Sequence, residues 1–201
     1  MSPRPTVETE RRQQILQAAW RCFALNGYEN ATMDQIAEAL PFSKALVYYY
    51  FDSKRDLFLA LLSDWANGVV ARWNDLLPAN AHPDAKLRRC IEFAVEILTE
   101  DPDLPRVEME FWGQLHREPA VTATIREIYA AFRAELAGII RDGIEQGIYR
   151  PVNPETLAAF IVGAYDGLAL QAVADPDALD WPAMIDSIYD MVMHGLSIAE
   201  G

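Results

Sequence analysis

The segment from Thr32 to Lys54, TMDQIAEALPFSKALVYYYFDSK, admits few folds. Thr32 is followed three positions on by Gln35, the pairing of a capping box. Met33, Ile36, Ala37 and Leu40 then recur at helical spacing, which predicts a short amphipathic helix with those residues buried. Leu40-Pro41-Phe42 ends it, because proline has no N–H to donate and disfavours helix at the residue before it. Ser43 opens another short helix, with Val47, Tyr50 and Phe51 pointing inward. Its outer side carries Lys44, Ala45, Leu46, Tyr48 and Tyr49, where a merely solvated helix would carry Glu, Lys and Gln. Two short helices across a tight break, the second presenting a cation and phenols, form the pattern of a helix-turn-helix. Lysine and tyrosine can grip phosphates while Ala45 and Leu46 meet a thymine methyl. Packing of the same face against a neighbouring helix is the plainer alternative.

A helix precedes this segment and another follows it. Ile15, Ala18, Ala19, Cys22 and Phe23 lie on one face of a helix expected from Glu10 to Asn26, and Gly27 stands where a left-handed cap belongs. Ser53 with Asp56 is a second cap, opening a helix expected over Lys54–Leu76, ~33 Å long. Lys54 sits at the unfavourable end of that helix's dipole. A cation there becomes favourable once an anion joins the free backbone N–H groups, which points to phosphate. Residues 1–9, polar and broken by Pro3 and Pro5, read as a mobile arm; Arg4 either follows a groove or is simply solvated.

Beyond residue 54 the chain has another character. Helical periodicity is expected over 84–100, 104–117, 120–146, 154–174 and 181–199, separated by Asp101-Pro102, Gly147, Asn153-Pro154 and Asp175-Pro176. No alternating strand pattern appears. The fold class is therefore all-α, an N-terminal three-helix helix-turn-helix domain over 1–54 and a helical bundle over 55–201.

Charge divides the same way. Net charge is −13. Residues 1–55 hold seven basic and six acidic side chains, +1, and residues 56–201 hold ten and twenty-four, −14. An acidic body discourages indiscriminate binding to nucleic acid, so docking through the N-terminal part alone is expected. Cys22 and Cys90 sit in apolar helical contexts and read as buried thiols. No basic start followed by an apolar stretch suggests a signal peptide, and no uninterrupted apolar run approaches the ~20 residues of a membrane span. The expectation is a cytoplasmic protein with no membrane partner.

The order Gly27-Tyr28, Thr32, Ile36-Ala37, Ser43-Lys44, Tyr48-Tyr49-Tyr50-Phe51 and Ser53-Lys54 closely resembles the DNA-binding domain of tetracycline-repressor (TetR) family regulators. That resemblance covers about a quarter of the chain. A weaker likeness, at Gly147-Ile148-Tyr149 and Asp166-Gly167-Leu168, joins residues 105–175 to C-terminal regions of some members. The resemblance implies a homodimeric, ligand-responsive transcription factor, usually a repressor. It carries contact with DNA to Thr32, Lys44, Ala45, Leu46, Tyr48, Tyr49 and Lys54. Pro41 and Ala45 stand where the family usually has glycine, and Tyr49 where it often has histidine. The added methyl of Ala45 would alter base preference.

The body is rich in large aromatics, as a small-molecule site in a bundle would be. The candidates for ligand contact are Trp65, Phe93, Glu108, Trp112, His116, Phe132 and Tyr165, with Glu110, Gln114 and Asp166 as further polar groups. Aromatics beside carboxylates suit a cationic or amphipathic ligand. Ala159, Gly163 and Gly167, with Ile185, Ile188, Val192, Gly195 and Leu196, would form half of a four-helix interface between two subunits through the last two helices. A twofold dimer then calls for a palindromic operator on double-stranded DNA.

Enzyme chemistry finds no support. His82, His116 and His194 lack metal-ligand spacing, and there is no phosphate-cradling glycine loop or nucleophile elbow. Asp175, Asp177 and Asp180 lack the glycine and distal glutamate of a calcium loop. No metal and no cofactor are expected. A helical adaptor working through protein contacts alone is the remaining rival, and it would show no salt-dependent affinity for DNA.

Overall fold

The computed structural model describes residues 7–76 and 80–197. The arm expected over residues 1–9, with Arg4, lies outside them up to residue 6, as do residues 198 and 199 of the last expected helix. Among the described residues there are nine α-helices: α1 (Val7–Asn30), α2 (Met33–Glu38), α3 (Lys44–Tyr50), α4 (Lys54–Leu76), α5 (Pro83–Glu100), α6 (Leu104–Gly113), α7 (Pro119–Glu145), α8 (Pro154–Ala174) and α9 (Trp181–Leu196). The all-α expectation holds among them; the sole β feature is an isolated bridge between Tyr149 and Ser197.

The chain folds as two compact units. The first runs to Gly68 and takes in Arg106–Thr124. Its core joins α1, α4 and α6: Phe58 meets Phe23 edge-on at 5.4 Å and Phe111 at 5.1 Å, over fully buried Ile15, Leu57 and Leu62. The capping box at α2 is complete, with Thr32 Oγ1 accepting from the Gln35 N–H at 3.2 Å and Gln35 Oε1 accepting from the Thr32 N–H at 2.9 Å. At α4 the Ser53 hydroxyl accepts from the Asp56 N–H at 3.0 Å. Gly27 takes a left-handed φ of 73°, yet its ψ of 162° is extended and the helix resumes beyond it to Asn30, four residues past the expected end. α6 ends at Gly113 rather than 117, because the next N–H groups bond three residues back, Gln114 to Phe111 and Leu115 to Trp112.

The second unit comprises Val69–Pro105 and Ile125–Gly201. Trp73 packs edge-on against Phe93 at 5.6 Å and Phe132 at 5.1 Å. Gly147 ends α7 with φ 71°, and the chain turns Tyr149 back over Gly143, where a Cβ would lie 2.1 Å from the ring. Only glycine fits there. α8 is, by length and composition alone, apolar enough to cross a bilayer, although Glu155 and Asp166 interrupt its apolar run. Only Ala158 and Ala169 of this helix are buried.

Candidate functional site

α3 keeps its outer face clear. Val47 is completely buried and Phe51 nearly so, fixing the helix by its inner side, while Tyr48 is 41% and Tyr49 76% exposed. Thr32, Lys44 and Ala45 are exposed beside them, and Leu46 is half-buried. Tyr50 is half-buried, and Tyr49 stands edge-on to it at 5.4 Å. Ser43 caps α3 by position only, making no side-chain hydrogen bond. Lys44 is paired with Asp34 of α2 at 2.5 Å and lies over the Tyr48 ring at 5.7 Å. The hydrogen bond to Asp34 raises the lysine's pKa and keeps its charge in place.

Lys54 is placed differently from the rest of the set. Its Nζ donates to the carbonyls of Tyr28 at 2.6 Å and Glu29 at 3.1 Å and sits 4.6 Å from the centre of the Tyr28 ring. These oxygens at the end of α1 compensate the unfavourable dipole position. Around them runs a set of polar contacts that no local pattern announces. Glu110 of α6, expected to face a ligand, accepts from the Tyr28 N–H at 2.8 Å. Arg117 pairs with Glu29 at 2.8 Å, and Arg55 grips Glu118 through two hydrogen bonds of 2.5 and 2.8 Å. The Arg55 hydrogen bond holds the Glu118 carboxyl below its ordinary range. Burial raises the Tyr28 hydroxyl, aided by Glu29 and Glu118.

The residues expected to line a ligand site divide between the two units. Trp65, Glu108, Trp112 and His116 belong to the first. Trp65 packs on Phe111 at 5.9 Å, Glu108 is buried, Trp112 is half-buried and His116 is exposed. Phe93, Phe132 and Tyr165 belong to the second, the first two gathered on Trp73. Asp166, beside Tyr165 on α8, feels the Tyr129 hydroxyl of α7. Burial raises its pKa to about 6, against the lowering effect of that hydroxyl. Cys90 is buried, which pushes its thiol up to about 12 and leaves it unreactive. Among the described residues, no cluster of three or more His, Cys, Asp or Glu could hold a metal ion.

A profile for bacterial regulatory proteins of the tetR family matches residues 15–61, spanning the helix-turn-helix and the start of α4. Another, for the C-terminal part of BetI-type transcriptional repressors, matches residues 83–196, more than half of the chain. The chain belongs to the tetR family of bacterial regulatory proteins. It is a DNA-binding transcriptional regulator, not an enzyme. The regulator is 30% identical over 166 residues to the transcriptional repressor AcnR of Corynebacterium glutamicum, covering 79% of this chain and 80% of that one. A transcriptional regulator from Saccharomonospora viridis in complex with choline superimposes with a TM-score of 0.85 at 26% identity, over 94% of this chain and 98% of the other. The regulator FadR of Bacillus subtilis in complex with stearoyl-CoA shares the fold, with a TM-score of 0.78 at 24% identity over 91% and 98%.

Proposed function

We propose that the regulator is a repressor that binds an inverted-repeat operator as a homodimer and is released by a small cationic molecule. The carrying observation is the outer face of α3, where Tyr48 and Tyr49 stand in water beside Lys44 on a helix anchored by Val47. Phenol hydroxyls and an ammonium on a rigid short helix are suited to phosphate oxygens flanking a major groove, with Ala45 and Leu46 against base edges and Thr32 at the start of α2 on the backbone. Lys54 adds its remaining N–H at the mouth of α4. Repression is the role of the AcnR relative. Such a protein works where the chromosome is, in the cytoplasm.

Dimerisation follows from α8 and α9. An apolar helix of this length with only two alanines buried is a core helix lacking its partner. Phe160, Leu170 and Met191 are each more than half exposed, and Gly163 and Gly167 allow a close approach. A second copy of the same pair completes a four-helix bundle.

The ligand class rests on the second unit. Tyr129, which influences the Asp166 carboxylate, lies three residues before Phe132 on α7, and Phe132 packs on Trp73 with Phe93. A carboxylate near several ring faces suits a quaternary ammonium, and Tyr165 adjoins it on α8. Among the described residues the buried Trp73 indole N–H has no hydrogen-bond partner, and a ligand hydroxyl would satisfy it. Choline is bound by the relative from S. viridis, which supports this class.

Sequencing genomic fragments retained by the purified protein, with and without millimolar choline, tests the reading. The expected fragments share an inverted repeat whose half-sites lie one helical turn or a multiple apart, and choline elutes them. Equal retention of random DNA would overturn the operator, and retention indifferent to choline would remove that ligand.

A further inference from the structure

Tyr28 is held at both ends of its own backbone. Its N–H follows Gly27, whose φ of 73° turns the peptide out of the helical ladder, and it is taken at 2.8 Å by Oε2 of Glu110 on α6. Gly27 is required twice, since a Cβ there would adopt a strained backbone and also meet the Glu110 carboxylate at 3.2 Å. The Tyr28 carbonyl accepts from Lys54 Nζ at 2.6 Å, and the Tyr28 ring is wedged between that ammonium and Phe58, 4.4 Å away. Phe58 in turn packs on Phe111, the neighbour of Glu110. Hydrogen bonds and ring contacts therefore run from α6 through one residue to the first side chain of α4.

Two of the three Lys54 N–H donors are spent on the carbonyls of Tyr28 and Glu29, so the ammonium is fixed in direction with one donor left. A free surface lysine would lose rotamer freedom on meeting a phosphate; one already held loses much less. What holds Lys54 is the position of the Tyr28 carbonyl, and what fixes that peptide from the far side is Glu110.

We propose that Glu110 is a positioning residue for DNA recognition, setting the Lys54 ammonium through the Tyr28 peptide so that the seat of α6 governs phosphate binding at the start of α4. This rests on the DNA-binding reading of Lys54 and gives α6 a definite lever on the DNA-facing surface. Glu110 touches no DNA itself. Arg117 on Glu29 and Glu118 on Arg55 tie the connection between α6 and α7 to the end of α1 and the start of α4 as well.

A double-mutant cycle on the full-length protein tests it, using an operator duplex recovered by selection, a random duplex of equal length, and native-state amide exchange at Tyr28. Loss of a hydrogen bond to a charged group predicts about ten-fold weaker operator binding in Glu110→Ala, and about ten-fold in Lys54→Ala. Since both act through one peptide, the double variant is expected to lose little more than either alone, rather than about one hundred-fold. Glu110→Gln keeps an acceptor for the Tyr28 N–H and stays within about three-fold of the parent. Tyr28 amide exchange is expected to rise about ten-fold in Glu110→Ala and to stay near parental in Glu110→Gln. Should Glu110→Ala fail to fold, Glu110→Asp, one methylene too short, replaces it with the same expectations. Additive losses, or an Ala variant that binds as the parent does, overturn the proposal. If the parent itself shows no preference for any duplex, the DNA-binding reading has failed. The Tyr28 amide then still decides the clamp, and unchanged exchange in Glu110→Ala overturns it.

Discussion

The outer faces of α3 and α8 both leave large side chains in water, and the contrast between them separates two kinds of partner. On α3 the exposed rings end in hydroxyls and lie beside a lysine paired with aspartate, so the surface is comfortable in solvent and becomes better satisfied only against a polyanion. On α8 and α9 the exposed large apolar side chains are Phe160, Leu170 and Met191, with no polar atom at their ends apart from a thioether. Water gives that surface nothing, and burial against a like surface is its most favourable outcome. Exposure alone therefore identifies no partner; the bonding capacity of the uncovered atoms does. The charge distribution agrees, since residues 1–55 are near neutral and the remainder is strongly acidic, a balance that disfavours duplex DNA against the remainder.

The most forceful way to break this comparison is to make α8 and α9 polar. Phe160→Asp with Met191→Asp places four carboxylates in a twofold interface in place of side chains whose burial contributes about 1.5–3 kcal/mol each. Dissociation is expected to rise at least about a thousand-fold, about 4 kcal/mol, read by sedimentation equilibrium. The thermal midpoint of the isolated subunit should hold, because both side chains are already solvated. A dimer that survives this pair would show that α8 is not the joining face.

On α3 and α4 the corresponding test is electrostatic. Lys44→Ala with Lys54→Ala removes four cations per dimer, and each neutralised phosphate contributes a salt slope near −0.9, so the slope should shrink by about 3.6. Operator affinity is expected to fall about 10–100-fold at physiological salt, read by fluorescence anisotropy across a salt series. The α8–α9 variant should show no such change per subunit. An unchanged slope in the lysine variant would remove both residues from the DNA surface and leave the helical adaptor standing.

How far the sequence disclosed this molecule depended on the range of the interactions concerned. Helix starts were legible where a cap acts over three residues, Thr32 with Gln35 and Ser53 with Asp56, whereas Asn153, read only as part of a break, proves to cap α8 by accepting from Thr156 at 2.8 Å. Gly147 was legible as a left-handed stop, and Gly27 only in part, because its extended ψ is set by a carboxylate 83 positions away. Nothing near Lys54 announces that its ammonium closes on the carbonyls of residues 28 and 29, nor does anything near Arg55 announce Glu118. The ligand candidates suffered the same way. Residue type pointed to aromatics and carboxylates, but their grouping depends on helix docking. Trp73, passed over as a candidate, is the residue that gathers Phe93 and Phe132, while His116 ends in solvent.

The finest test lies in the middle of α8, where Asp166 interrupts an otherwise apolar helix. Burial raises its pKa to about 6, and the Tyr129 hydroxyl only partly opposes that. The folded value lies above the ordinary carboxyl value near 3.9, so the native unit favours the protonated form. Its contribution to stability is fully present below about pH 4 and is lost as pH rises through about 6, leaving a charged, partly dehydrated carboxylate above that. With allowance for the solvent that still reaches the group, the difference is about 1 kcal/mol. Asp166→Asn keeps the size of the side chain and cannot ionise. Between pH 4.5 and 7.5 the parent should therefore lose about 1 kcal/mol relative to the variant in urea unfolding, the other titrating groups cancelling between the two proteins. Choline inverts the sign if it sits against this carboxylate, because a bound cation favours the ionised form. Stabilisation by choline should then be greater at pH 7.5 than at 5 in the parent and flat in the variant. A parent and variant with parallel profiles, with and without choline, would make Asp166 an ordinary surface acid and return α8 to a purely apolar joining face.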